Sequence, residues 1–263
     1  MESTRPIRAL TRGLDALTVL NLRDGATVSE VAQEIRLPRT TVYRILETLC
    51  DAGFVFRDST DDRYRLTILV RALSNGFDDE TWMTQIAKPH IHELGRELVW
   101  PISVASLSGT AMVVREATDH GTPLAIERYS AGFRIPLLNT ATGRAYLAFC
   151  PSAQRDALLD LLARSNKEDD KLARAPRADV LHMLADVKLQ GYATSSRTRR
   201  LVEEGSIGVP VMLPDRVLAV LTVRFIASAV PLKSAVERFL PKLRQCAVKI
   251  TTQFSQQQAE AQT

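Results

Sequence analysis

A chain of 263 residues is long enough for two domains with separate cores, and 45% hydrophobic with 24% charged residues marks a folded globular chain rather than a disordered one. The longest apolar run, Val217–Val230, is broken by Arg224, and the opening MESTRPIRALTRG lacks the apolar core of a secretory signal, so a soluble cytoplasmic chain with no membrane partner is expected. Cys50, Cys150 and Cys246 show no C-x-x-C spacing and read as reduced core thiols, while a net charge of +4 is too small to name a partner.

In chain order, Leu10, Leu14, Leu17, Val19 and Leu20 recur at helical spacing from Ala9 to Leu22, and Asp24-Gly25 stops that helix. Ala26–Val28 is long enough only for a small strand. Ser29 reads as the N-cap or a first-turn residue of a helix over 29–35. Arg36-Leu37 turns the chain, and Pro38 opens a helix that runs to Ala52 and ends at Gly53. Val42, Ile45, Leu46 and Leu49 form its buried stripe, which leaves Arg39, Thr40, Tyr43, Arg44 and Glu47 on the opposite face. Phe54–Arg57 and Arg63–Leu66 then alternate as two strands around the polar turn Asp58–Asp62.

Three helices followed by a hairpin is the winged helix-turn-helix order, and its second motif helix presents its first residues to base edges in a major groove. Those residues are Arg39, Thr40, Thr41, Tyr43 and Arg44. Arg pairs bidentately with guanine, and Thr meets a thymine methyl or a phosphate. Arg57, Arg63 and Arg65 on the hairpin and Arg12 on the first helix are candidates for phosphates or a minor groove. Bulk charge adds nothing: residues 1–72 hold eleven Arg and no Lys against ten Asp or Glu, so placement carries the reading.

Beyond the head, Leu66–Phe77 reads as a linker helix and Trp82–Leu98 as a longer one with Ile86, Ile91, Leu94 and Leu98 inward. Strands are expected at Ile102–Leu107, Ala111–Ala117 and Leu124–Tyr129, and helices at Ala141–Cys150, Ser152–Arg164 and Arg177–Gln190. Ile207–Met212 and Val217–Phe225 are apolar strands, and Pro231–Gln257 closes the chain as helix, with a frayed polar tail over Gln256–Thr263. A mixed sheet with flanking helices makes the class α+β. The expected organisation is 1–66 for the winged head, 67–80 for the linker helix and 81–263 for the second domain.

With these elements placed, the sequence resembles IclR-type transcriptional regulators. The likeness is carried by Leu10–Asp15, Thr27–Ala32, Leu37–Leu49 and Tyr64–Thr67, and further on by Pro136–Phe149, Gly191–Ala193 and Ser206–Val211. Within that family, Val99–Pro101, Ala111–Glu116, Arg134–Leu138 and Leu147–Pro151 are similar to activators of hydroxyphenylpropionate catabolism. The resemblance implies a GAF-like effector-binding domain, and carries over by position Thr140, Ala141, Thr142, Ser196, Ser206 and Thr222 as effector residues. Thr140–Gly143 opens a helix, so free amides and the positive dipole end suit a carboxylate, although an ordinary N-cap explains the same residues. Arg134 could add a cation or lie on the surface; Trp100, Phe133 and Leu138 are either pocket wall or plain core. Family members often carry acidic residues after the Gly-Tyr-Ala turn, where Arg197, Arg199 and Arg200 stand here, facing either inward or outward.

No enzyme constellation, cofactor loop or metal-ligand spacing is present: G-x-S-x-G, Walker and G-x-G-x-x-G patterns are missing, and His90 and His92 diverge on a helix. Glu203-Glu204 reads as a solvated loop pair. The expectation is an effector-responsive regulator, acting on double-stranded operator DNA as a homodimer or dimer of dimers and touching RNA polymerase. It would activate an aromatic-acid catabolic operon in response to a carboxylated aromatic effector. The alternatives are a repressor released by a short aliphatic acid such as glyoxylate or pyruvate, and an enzyme with an accessory nucleic-acid module.

Overall fold

Residues 7–23, 25–73, 82–199 and 202–261 are described in a computed structural model of the chain, which divides into two units, Met1–Asp78 and Asp79–Thr263. The part of the expected linker helix at 74–80, together with Arg200, lies outside the described residues.

In the first unit, α1 (Arg8–Leu22), α2 (Val28–Glu34) and α3 (Arg39–Asp51) precede the hairpin of β1 (Val55–Arg57) and β2 (Tyr64–Leu66), followed by the short α4 (Ile68–Ala72). Thr27 rather than Ser29 caps α2: its hydroxyl accepts from Glu30 N while the Glu30 carboxylate accepts from Thr27 N, and Ser29 sits in the first turn. The expected strand at Ala26–Val28 is a single bridge from Ala26 to Tyr64. Gly53 takes φ +79° after α3, a left-handed conformation that a side chain would strain, and Phe54 N closes the helix on Leu49 O.

Ala16, Val19, Leu20, Val31, Val42, Leu46, Val55 and Tyr64 make the core of this unit. Leu10 and Leu14, two of the apolar positions at helical spacing, are 62% and 54% exposed. Burial on α1 is confined to its second half, which meets α2, α3 and β2, so the apolar spacing of its first half is not matched by burial among the described residues.

The second unit is built on an antiparallel sheet of six strands, ordered β5-β4-β3-β8-β7-β6. The strands are β3 (Ile102–Ser108), β4 (Ala111–Ala117), β5 (Arg134–Pro136), β6 (Ala193–Arg199), β7 (Val202–Met212) and β8 (Val217–Ile226). The α+β class expected from sequence is the class observed; the refinement is that all five ladders are antiparallel. One face carries α5 (Lys88–Leu98), preceded by a π-helical turn at Met83–Ala87, and α9 (Leu232–Ala261). Ile91, Leu94, Phe239, Leu243 and Ile250 from these helices pack on Ile102, Val104, Ile207, Leu221 and Val223. The other face carries α6 (Ala141–Phe149), α7 (Ser152–Ala163) and α8 (Arg177–Gln190), whose Leu147, Leu159 and Leu184 pack with Ala105, Met112, Val114 and Val220. Each such aliphatic side chain contributes about 1.5–3 kcal/mol when fully removed from water.

Four expectations are corrected. Leu124–Tyr129 forms no strand: Thr122 Oγ1 donates to Val99 O and Tyr129 N donates to Asp119 Oδ1, so the segment is tied down as a loop. The stretch after Gly191-Tyr192-Ala193, given no element from sequence, belongs to the edge strand β6 (Ala193–Arg199), paired along β7 from Ala193↔Gly208 onward; its sequence ATSSRTR hides a strand because one edge and few apolar neighbours require no hydrophobic alternation. Glu203 and Glu204 lie in β7, and Glu204 is buried instead of solvated. The closing helix continues to Ala261, through the tail expected to fray.

Candidate functional sites

Pro38 starts α3 as its N-cap, with backbone angles that turn the chain directly into the helix (φ −57°, ψ 139°). With Val42 and Leu46 fully buried, helical geometry places Arg39, Thr40, Tyr43 and Arg44 outward. These four line a concavity of about 670 Å³ together with Thr27, Val28, Ser29, Arg57 and Asp62. Thr41 is half-buried and Arg12 lies on α1; neither lines it.

The hairpin arginines divide by what they touch. Arg63 is committed to the fold, donating to Gly25 O and to both Glu30 oxygens at 3.0–3.3 Å. Arg65 holds the hairpin turn, reaching Asp58 at 2.7 Å and Asp61 at 2.6 Å, and its side chain covers Gly25. The Arg65 hydrogen bond holds the Asp61 carboxyl down at about 2. Arg57 pairs with Asp62 at 2.6 Å and remains on the concave face. Glu47, expected on the exposed face of α3, instead accepts from the Tyr64 hydroxyl at 2.7 Å. Burial, with the adjacent Glu47 carboxylate, pushes that phenol well above its usual range.

The second cluster gathers on the α6 side of the large sheet. Thr140 caps α6, accepting from Gly143 N at 3.1 Å and donating to Pro136 O at 2.7 Å. The next amide, Ala141 N, donates to Ser195 Oγ at 2.9 Å, and Ser195 Oγ lies 2.8 Å from Ser206 Oγ. Thr142 Oγ1 lies 2.9 Å from Thr222 Oγ1. Gly208 permits this approach, because a Cβ there would come within 2.9 Å of Ala141 O. Thr140, Ala141, Thr142, Ser206 and Thr222 are thus brought together as positioned from sequence.

The remaining sequence candidates lie outside this cluster or beside it. Opposed residues in an antiparallel ladder share a face, so Ser195, opposite Ser206, faces α6, whereas Ser196, opposite Gly205, faces the other side and donates to Glu203. Arg134 is exposed on the edge strand β5. Trp100 packs in the core beneath α5 and α9, while Leu138 packs in the α6-side core. Phe133 stacks on Tyr129 with ring centroids 4.2 Å apart. Arg197 is half-buried opposite Glu204 and 3.8 Å from Asp169; the side chains of Arg199 and Arg200 lie outside the described residues.

Sequence reasoning missed the charged end of this cluster. Arg224, opposite Ser206 on β8, is 3% exposed; it donates to Asp119, to Glu204 and to Glu127 O, and its guanidinium lies 3.7 Å from the Tyr129 ring centre. Burial pushes the guanidinium below its usual range, while Asp119 and Glu204 beside it favour the cation. The signal was present as a lone charge inside the apolar run Val217–Val230. Among the described residues no group of three His, Cys, Asp or Glu is placed to hold a metal, and no helix is long and apolar enough to cross a membrane.

Residues 9–59 match the IclR helix-turn-helix domain, and residues 79–252 match the bacterial transcriptional regulator IclR C-terminal domain. The chain belongs to the IclR family. It is an IclR-type DNA-binding transcription regulator with an effector-binding domain, and that family consists of regulators rather than enzymes. Among its relatives are SauR, a probable transcriptional regulator of Cupriavidus necator, 30% identical over 57% of this chain and 60% of that protein, and XynR of Escherichia coli, 26% identical over 85% and 88%. BhcR of Paracoccus denitrificans is 26% identical over 75% of this chain and 70% of its own length. The fold is shared with the IclR structure from Thermotoga maritima (TM-score 0.65, 18% identity, 94% and 99% covered). It is shared equally with an IclR homolog from Microbacterium hydrocarbonoxydans complexed with 4-hydroxybenzoate (TM-score 0.61, 22% identity, 93% and 98% covered).

Proposed function

We propose that this IclR-type regulator activates an aromatic-acid catabolic operon in response to a carboxylated aromatic effector, acting in the cytoplasm as a homodimer or dimer of dimers. Arg39, Thr40, Tyr43 and Arg44 read operator bases, with Arg57 as the hairpin's contribution; Arg63 and Arg65 shape the hairpin. The observation that carries the DNA reading is the cationic concavity formed by these α3 residues, in which Arg39 and Arg44 are exposed.

The effector reading is carried by the start of α6. An effector carboxylate would replace Ser195 Oγ on Ala141 N, favoured by the positive end of the helix, and Phe133, half-buried and stacked on Tyr129, offers aromatic surface on the same sheet face. Exchanging that hydroxyl for a carboxylate shifts α6 against β6 and β7, a change that can carry the coupling of about 1–3 kcal/mol usual between an effector and a second ligand. The Microbacterium relative with 4-hydroxybenzoate supports an aromatic acid over an aliphatic one. Activation brings the DNA-bound protein to RNA polymerase.

Footprinting on the chain's own upstream DNA, with and without hydroxylated aromatic acids, tests this reading. A change in protection or transcription with an aromatic acid is expected. A response to glyoxylate or pyruvate alone, with loss of DNA binding, would replace it with the repressor reading.

A further inference from the structure

Three polar atoms at the Arg224 end of the sheet face are buried and have no hydrogen-bond partner among the described residues: Ser103 Oγ, Asp119 Oδ2 and Arg224 Nε. Their residues are 1%, 0% and 3% exposed. A buried polar group left unmade costs about 1–3 kcal/mol, so three together mark a place where something else binds. Ser103 lies opposite Thr222 on β3, and Thr222 and Arg224 alternate onto the same face of β8. The three atoms therefore belong to one patch, which continues the hydroxyl row at the start of α6.

The chemistry of the patch is specific. Arg224 Nε–H is a donor, Asp119 Oδ2 an acceptor, and Ser103 Oγ serves as either. The guanidinium is not a free receptor for an acid, because Asp119 and Glu204 already flank it and Tyr129 covers its face. Two carboxyl groups against one guanidinium repel a further carboxylate. The complementary group is uncharged and both donates and accepts.

We propose that Ser103, Asp119 and Arg224 form a hydroxyl-recognising subsite, which takes the distal hydroxyl of the effector while its carboxylate lies at α6. This rests on the effector reading above and narrows its ligand to a hydroxy acid. Both ends lie on the α6 side of the sheet, since Thr222, which touches Thr142, and Arg224 are two residues apart on β8; the two acid lengths in the test below read out the span between them.

The test is calorimetric titration of the full-length protein with benzoate, 4-hydroxybenzoate and terephthalate, and with 3-phenylpropionate and 3-(4-hydroxyphenyl)propionate. The hydroxylated acid should bind about tenfold tighter or more than its unsubstituted partner, as expected where a built polar site loses its hydrogen bonds, and terephthalate should not compete. Ser103→Ala should shrink the hydroxyl advantage to about threefold or less, about the contribution of one neutral hydrogen bond. Equal binding within each pair, or an undiminished advantage in Ser103→Ala, would overturn the subsite while leaving the aromatic-acid reading intact. No binding by any of the five would overturn that reading and the subsite with it.

Discussion

Ser195 Oγ accepts the hydrogen bond of Ala141 N at 2.9 Å, so the side chain of an edge strand fills the place at the start of α6 where a ligand oxygen would sit. The neighbouring Ser196 turns to the other face of the same strand. Ser195→Ala should cost about 1–2 kcal/mol, because it leaves the amide of the buried Ala141 without its acceptor and the Ser206 hydroxyl one partner short. Ser196→Ala should stay within about 0.5 kcal/mol. Urea unfolding of the two variants checks the register directly; equal effects would contradict it.

Arg224 is a second pivot of that sheet face. Arg224→Met removes the cation and leaves Asp119 and Glu204 buried against each other, which should destabilise the second unit by about 3–5 kcal/mol. Thermal unfolding of the full chain, followed by a probe in residues 79–263, gives the measurement.

In the head, Tyr64→Phe removes the hydroxyl that holds Glu47 and should cost about 1 kcal/mol. Glu47→Gln, which keeps an acceptor for the Tyr64 hydroxyl, should move DNA affinity little, since Glu47 is engaged within the fold. An altered base preference in Glu47→Gln would show that Glu47 reads DNA after all.

The Glu30 carboxyl is held below its usual value, first by the Thr27 backbone N–H and then by the Thr27 hydroxyl and Arg63, against a smaller cost of burial. A depressed folded-state value gives stability that is present above the unfolded value of about 4.3 and is lost as pH falls through the folded one. The head should therefore lose stability in acid, and Glu30→Gln should remove that part of the pH dependence. Unfolding of both proteins between neutral pH and acid, monitored on the first unit, tests the sign.

Much of this was legible in the sequence for a physical reason. Strongly periodic segments with punctuation, such as Pro38 to Gly53, announce both the helix and its exposed face, so Arg39, Thr40, Tyr43 and Arg44 could be placed before any coordinates. The start of α6 was equally plain, since Thr140 and Gly143 bracket its first turn. What could not be read depends on register and partnership across long separations. A slip of one residue in β6 exchanges Ser195 for Ser196, and nothing in ATSSRTR fixes that register. Arg63 and Arg65 also pair with Glu30, Asp58 and Asp61, which the sequence does not show. Asp119 and Arg224 meet over a hundred residues of chain, so their pairing has no local signature.

The most direct test of the account is the affinity of single variants for the upstream operator fragment and for scrambled DNA, at matched salt. Arg39→Ala or Arg44→Ala should lose about 1–3 kcal/mol of discrimination between the two fragments if either reads a base, whereas Arg63→Ala should keep the native ratio while unfolding more readily. Native discrimination in both α3 variants, together with its loss in Arg63→Ala, would contradict the claim that the α3 face reads the operator.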